Sequence, residues 1–369
     1  MPRRTLTLLT STLVLIALLC GGVFLSVPYA EMSPGPTVNT LGKAGGQPVL
    51  QISGHKTYPT SGHLNMVTVR VTRSDYSMNL VEAVYGWLAH DSVVVPHNTL
   101  YPDGTTEQQS TQQNAEEFSE SQENAKVAAL DELGIPVKAR TVVATVLKDS
   151  PAQGKLHAGD VIKAVDGQAV KEPGDVAKLV TKHKPGQSVV FTVVPAATAA
   201  AAEKKRTEPK GTKDVSIVTA KAPATKAPTP DPGRAIVGIS AGPDYTFPFH
   251  IDIKLADVGG PSAGLMFSLG LVDKLTPGDL TGGKFVAGTG TIDDKGVVGP
   301  IGGIEMKLVA ARDAGAQYFL TPSDNCAAAA ADTPSGLHLV KVKAMKDAKQ
   351  ALDKIRTGKT AGLPSCSAK

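Results

Sequence analysis

Aromatic side chains are scarce in this chain, at 4% of its residues with a single tryptophan. A core with few large rings must be packed from Ala, Val and Gly, small residues that permit close backbone approach and flexible joints. Three cysteines in 369 residues exclude a disulfide-dense scaffold, and no C-x-x-C or paired-histidine spacing suggests a metal site. His55, His63, His90 and His97 stand without ligand spacing and read as surface or loop residues. The formal charge of +4 is modest and spread out, which gives nucleic-acid binding no support. A phosphate-binding loop requires G-x-x-x-x-G-K-[ST], and the one Gly358-Lys-Thr360 has Asp353 where the first glycine belongs. No cofactor is expected.

One long apolar run is present. Residues 5–30 carry no charge, follow Arg3 and Arg4, and precede Glu31. At 1.5 Å per residue such a helix crosses a hydrocarbon core of ~30 Å. Arginines ahead of the span place the N-terminus in the cytoplasm and the bulk of the protein outside a cell membrane crossed once. A cleaved signal peptide is the alternative, although Pro28-Tyr-Ala30 is a poor small-x-small cleavage site. Outside the cytoplasm disulfides persist, so one bridge between Cys326 and Cys366 would staple the C-terminal tail, while Cys20 lies within the span.

Residues 31–134 read as a β-rich region, with alternation over Leu64-Asn-Met-Val-Thr-Val-Arg-Val71, followed by an amphipathic helix over 114–133 ending at Gly134. Residues 135–222 then carry a strand at 141–146, the turn elements Ser150-Pro-Ala152, Gly159-Asp-Val-Ile162 and Asp166-Gly167, a helix at 174–183 and a strand at 188–194. Residues 196–213 are Ala/Lys/Glu-rich without apolar periodicity and predict a flexible excursion before a strand at 215–219. The Pro/Ala/Thr-rich residues 223–234 predict a semi-extended linker.

Chemistry concentrates after that linker. Ser262 follows Gly259-Gly-Pro261 and precedes Ala263, Gly264 and an apolar run. A helix opening here points unpaired N–H groups and the positive end of its dipole at the serine, which suits an oxyanion. The plainer reading is an N-cap on a buried helix. Gly260-Pro-Ser-Ala-Gly264 also fits the G-x-S-x-G elbow of an esterase, which would need Asp324 or Asp332 with His338. A second short helix, from Gly303 to Ala314, carries Lys307 with Gly303, Ile304, Ala310 and Ala311 as its neighbours three and four residues away. Desolvation on such a face favours the neutral amine, which can take a serine's proton. Snorkelling to water is the alternative for a lone lysine.

Gly260-Pro-Ser-Ala-Gly264, Thr289-Gly-Thr-Ile292 and Pro300-Ile-Gly-Gly-Ile-Glu-Met-Lys307 resemble the proteolytic domain of Lon, a Ser–Lys endopeptidase family. The resemblance runs from Ile236 to Leu352. It implies Ser262 as nucleophile, Lys307 as general base, Thr289 as the threonine bonded to that lysine, and backbone around Gly260 and Ala263 beside the oxyanion. Thr291 and Gly259 stand where the family usually carries acidic residues. The succession over 135–222 resembles a PDZ domain of bacterial envelope proteases, with peptide expected between Val142, Val143 and Ala144 on one strand and the helix bearing Leu179.

Together these imply an α+β chain. The parts would be an anchor (1–30), a β-rich region with its helix (31–134), a PDZ domain (135–222), a linker (223–234), a Lon-type protease domain (235–355) and a tail (356–369). The implied enzyme is an ATP-independent endopeptidase acting on protein or peptide substrates, and fold analogy adds a homo-oligomeric ring. A catalytically silent PDZ sensor or scaffold is the non-enzymatic alternative.

Overall fold

The N-terminal apolar run winds into helix α1 (Arg3–Phe24), as its leucines favour. Its Thr7–Phe24 window is apolar enough to cross a membrane, and only 6% of it is buried. A membrane anchor and a signal sequence both fit one such helix. The structure, a computed structural model, describes residues 3–89, 91–102, 104–204, 210–223, 233–256 and 258–367. It divides into two units, Met1–Pro136 with Phe249–Lys369, and Val137–Pro248.

In the first unit, strands β1 (Tyr29–Asn39), β2 (Leu50–Ser53) and β3 (His63–Val71) follow α1. Helix α2 (Leu80–Leu88) starts with a reciprocal cap between Asn79 and Glu82, and β4 (Val93–Pro96) follows it. Helix α3 (Glu107–Glu132) begins earlier than the predicted 114–133, because Thr106 and Gln109 form a capping box ahead of its polar first turns.

The second unit contains β5 (Lys138–Val146), β6 (Val161–Val165), α4 (Pro173–Val180), β7 (Ser188–Val194), β8 (Lys213–Val218) and β9 (Ile239–Thr246). Its sheet runs β8-β7-β6-β5-β9 over a core of Val143, Ile162, Val165, Val189, Phe191 and Ile217. Three expectations change here. Ala196–Lys204 forms a helix within the predicted flexible excursion, alanine's helix propensity outweighing the missing apolar stripe; residues 205–209 lie outside the described residues. The predicted linker is closed at its ends, since Ala220–Lys221 pairs with Ala235–Ile236 and the Ala222 N–H donates to the Arg234 carbonyl. Its residues 224–232 also lie outside the described residues. The chain beyond it stays in this unit as β9, whereas sequence pattern placed residues 235–248 in the protease domain.

The first unit resumes with β10 (His250–Ile253), α5 (Gly264–Leu275), β11 (Phe285–Gly288), α6 (Ile304–Asp313), β12 (Tyr318–Pro322), β13 (His338–Val342) and α7 (Met345–Arg356). One sheet joins its two halves in the order β13-β12-β11-β3-β1-β4. β11 runs parallel to both β3 and β12, while β3, β1 and β4 are antiparallel. A second pairing, β2 with β10, joins them again. Residues 31–134 are therefore part of the same unit as 249–369, with the second unit inserted between them. Helix α5 reads as hydrophobic on nearly every face, and every residue from Gly264 to Asp273 is buried.

Cys326 and Cys366 form a disulfide across 40 residues, and the Lys341 N–H donates to the Pro364 carbonyl, so the tail lies along β13. Replacing both cysteines with serine should lower the unfolding free energy by about 2–4 kcal/mol. Denaturant midpoints of the double variant and the oxidised parent test this, and equal midpoints would contradict it.

Candidate active site

Ser262 stands on the turn immediately before α5, and Gly260 takes the left-handed φ of +79° that lets this turn close. The turn rests on α3. The Gly260 N–H donates to the Asn114 carbonyl at 2.9 Å, and Ser121 Oγ donates to the Pro261 carbonyl at 2.9 Å. There is no room for larger residues: a Cβ at Gly264 would lie 2.9 Å from both Ser121 Oγ and Ile292 Cγ2. Asn114 and Ser121 were missed from sequence, where α3 carried no motif. Their one signal is spacing: Asn114, Phe118, Ser121 and Ala125 share a stripe at helical intervals, and the last three are buried.

Among the described residues, the Ser262 and Ala263 N–H groups make no backbone hydrogen bond. They stand at the positive end of α5. Two further bonds tie the turn to Gly290: the Gly290 N–H donates to the Ser262 carbonyl at 2.9 Å, and the Leu265 N–H to the Gly290 carbonyl at 3.1 Å.

Lys307 enters from α6, whose N-terminus is set by Gly303 at φ +65°. A Cβ at Gly303 would also lie 3.0 Å from Val69 Cγ1 on β3. The lysine is only 2% exposed, so it does not snorkel. Its Nζ lies 2.8 Å from Ser262 Oγ and donates to Thr289 Oγ1 at 3.0 Å. Thr289, fully buried, donates its own hydroxyl to the Ser262 carbonyl at 3.0 Å. That leaves the threonine oxygen free to accept from the amine. Burial pushes the Lys307 pKa from 10.5 down to about 7. The loop ahead of α6 is clasped by Asn325, which accepts from the Ile301 N–H and donates to the Ile301 carbonyl, both at 2.9 Å. Asn325 was likewise missed, since only the folded chain brings it to that loop.

The other candidates fall elsewhere. Thr291 pairs with Gly299 in a short hairpin. His338 is exposed on β13 with its ring 5.6 Å from that of Tyr318, and Asp324 accepts from Ser323 Oγ. Neither has a bond to Ser262, so the elbow reading gains nothing. Among the described residues no group of three or more His, Cys, Asp or Glu could hold a metal ion.

In the second unit the expected peptide groove moves. β5 pairs with β9 along one edge and meets β6 on the other, so Val142, Val143 and Ala144 offer no free backbone edge. Val143 and Leu179 are core residues, Val142 packs beside Val161 and Val194, and Ala144 is exposed beside Gly242. The open edge is β9, which pairs with β5, a partner far earlier in the chain (Ile239 with Val146, Thr246 with Lys138), a pairing no local pattern announces. Between β9 and α4 lies a groove of about 560 Å³. Val176, Ala177, Val180 and Ile239 line it, with Pro223 and Arg234 among its other residues.

Residues 249–355 match the family model of the Lon protease (S16) C-terminal proteolytic domain, and residues 118–196 match the PDZ domain model. The Lon protease of Phenylobacterium zucineum is 35% identical over 105 residues, covering 28% of this chain and 13% of that protein. The Lon protease of Roseiflexus castenholzii is 40% identical over 76 residues, covering 21% of this chain and 9% of its own length. The matched stretch thus spans only about a tenth of these relatives. Among solved structures, the PDZ domain of an SdrC-like protein from Listeria innocua aligns at 26% identity and a TM-score of 0.20, covering 27% of this chain and 90% of that one.

The buried amine carries a stability cost. With the folded pKa near 7 and the unfolded one near 10.5, the unfolded state binds the extra proton between those values. Stability contributed at this site therefore rises with pH across that window, by about 1.4 kcal/mol per pH unit. Lys307→Met should be more stable than the parent at pH 7, and its advantage should shrink as pH rises toward 10. Denaturant midpoints at several pH values measure the gap; a gap independent of pH would refute the assignment.

Proposed function

We propose that this chain, which carries a Lon-type proteolytic domain and a PDZ domain, is a serine endopeptidase that uses Ser262 and Lys307 as a dyad and needs no nucleotide. The matched proteolytic family supplies the serine-peptidase class. The single observation that carries the dyad is the 2.8 Å separation of Lys307 Nζ and Ser262 Oγ in a site where burial favours the neutral amine.

The neutral amine keeps an N–H on Thr289 and turns its lone pair to the serine hydroxyl. Ser262 Oγ attacks the peptide carbonyl carbon while its proton passes to Nζ. The carbonyl oxygen becomes an oxyanion beside the N–H groups of Ser262 and Ala263 and the α5 N-terminus. Collapse breaks the C–N bond, and the Lys307 ammonium returns its proton to the leaving amine. Water, deprotonated by the same amine, then releases the acyl group. Thr289 keeps Nζ on the serine and shares its oxygen rather than its proton with the lysine.

Nucleotide independence rests on the missing phosphate-binding loop within this chain. Without an unfoldase, substrates would be flexible or already unfolded. The groove along β9 suits an extended apolar peptide added as a strand, with Arg234 at hand for an acidic group of that peptide. With α1 as an anchor, Arg3 and Arg4 at its N-terminal end favour a cytoplasmic N-terminus and a protease unit outside the cytoplasm.

The test is cleavage of casein without nucleotide. Ser262→Ala and Lys307→Ala should each lower kcat by at least about 10³-fold, as loss of a nucleophile or its base does. His338→Ala should leave it unchanged; retained cleavage in Lys307→Ala would overturn the dyad. The pH profile is a second check. Because the base is active only when deprotonated, kcat/KM should climb through about pH 7 on one ionisation and level off above it. A decline with rising pH through that range would contradict a lysine base.

A further inference from the structure

Helix α2 is built inside out. Its small residues Ala83 and Gly86 face the protein, so closely that a Cβ at Gly86 would lie 2.8 Å from Val94 Cγ2 on β4. Its large apolar residues face outward: Tyr85 is 75% exposed, Trp87 80% and Leu88 76%, with Leu80 and Val84 on the same side. The helix's one acid, Glu82, is occupied by the Asn79 N–H and by the Tyr76 hydroxyl. Isolated exposed apolar side chains are ordinary, but a contiguous stripe that includes the chain's single tryptophan calls for a cover.

The cover is indicated by where α2 begins. The Leu80 N–H donates to the Leu25 carbonyl at 2.9 Å, one residue past α1, and the Val27 N–H donates to the Met78 carbonyl at 2.9 Å. Gly22 of α1 lies against α2, since a Cβ there would stand 3.1 Å from Val81 Cγ2. Exposed Phe24 and Leu25 continue the apolar surface of α1 into that of α2. The apolar window of α1 is 18 residues, roughly 27 Å of helix against a hydrocarbon core of ~30 Å. A bilayer crossed by α1 therefore ends at the level where α2 starts, and tryptophan and tyrosine favour that level.

We infer that α2 is an interfacial helix, lying in the headgroup region of the bilayer that α1 crosses and burying Val84, Tyr85, Trp87 and Leu88 among the lipids. It attaches the first unit to the membrane surface at a second point beside the span. With no basic residue on α2, the attachment is apolar and insensitive to salt. This rests on α1 residing in a bilayer and not on the Ser262–Lys307 chemistry.

Trp87 is the only tryptophan, so its emission reports α2 directly. The full chain is reconstituted into vesicles of phosphatidylcholine and phosphatidylglycerol, and flotation measures whether α1 holds it there. Emission is then read with acyl chains brominated near the headgroup and with aqueous iodide. The expected result is flotation, blue-shifted emission, at least about two-fold quenching by the brominated lipid and little by iodide. Val84→Ser with Leu88→Ser should float and cleave casein as the parent does, yet restore iodide quenching. Flotation with Trp87 open to iodide would overturn the inference, as would shielding from both quenchers, which would mean a protein partner or second copy covers α2. Failure to float would remove the bilayer premise itself, a result separable from loss of casein cleavage.

Discussion

The candidate site depends on holding one amine in a place from which water is excluded. Lys307 is the largest polar side chain among the fully buried residues, and among the described residues it lies within hydrogen-bond distance of two side-chain groups, the hydroxyls of Ser262 and Thr289. Neither carries a charge that would favour the ammonium, so burial acts alone and lowers the pKa. Everything around the amine serves the exclusion: the apolar helix α5 beneath, the sheet behind α6, and the close glycine contacts at Gly264 and Gly303.

The serine turn has a different support. It is held from one side by α3, through Asn114 and Ser121, and from the other by the backbone of Gly290. Helix α3 belongs to the chain segment before the inserted unit, and α5 to the segment after it. The site is thus completed only when the two halves of the first unit pair through β11 with β3 and β10 with β2. These are contacts of long sequence separation, which form late or slowly in folding because loop closure precedes them.

Inserting the PDZ unit into the Lon-type unit leaves each sheet complete. The second unit draws its edge strand β9 from beyond the linker, so its first and last strands are neighbours and both ends of the insertion leave side by side, Lys138 opposite Thr246. Such an arrangement lets a domain be accommodated without disturbing the host, since the termini of an inserted domain lie close together. It also leaves the outer edge of β9 facing α4, which is why the groove forms there and not on β5.

The sequence by itself marked the candidate catalytic residues and part of the fold. Ser262, Thr289 and Lys307 were legible as candidates because each sits in a short motif whose glycines demand special backbone, and apolar patterns marked α1, α5 and the strands β3, β5, β7 and β8. Only the tertiary structure decided which segments share a sheet, that the groove belongs to β9, that Asn114 and Ser121 hold the serine turn, and that α2 shows its large side chains to the outside. The reason is physical in each case. Local patterns record what a residue's own turn or strand requires. Strand partners, helix orientation and the depth of a buried amine are set by contacts between residues far apart in the chain, and those leave no local signature.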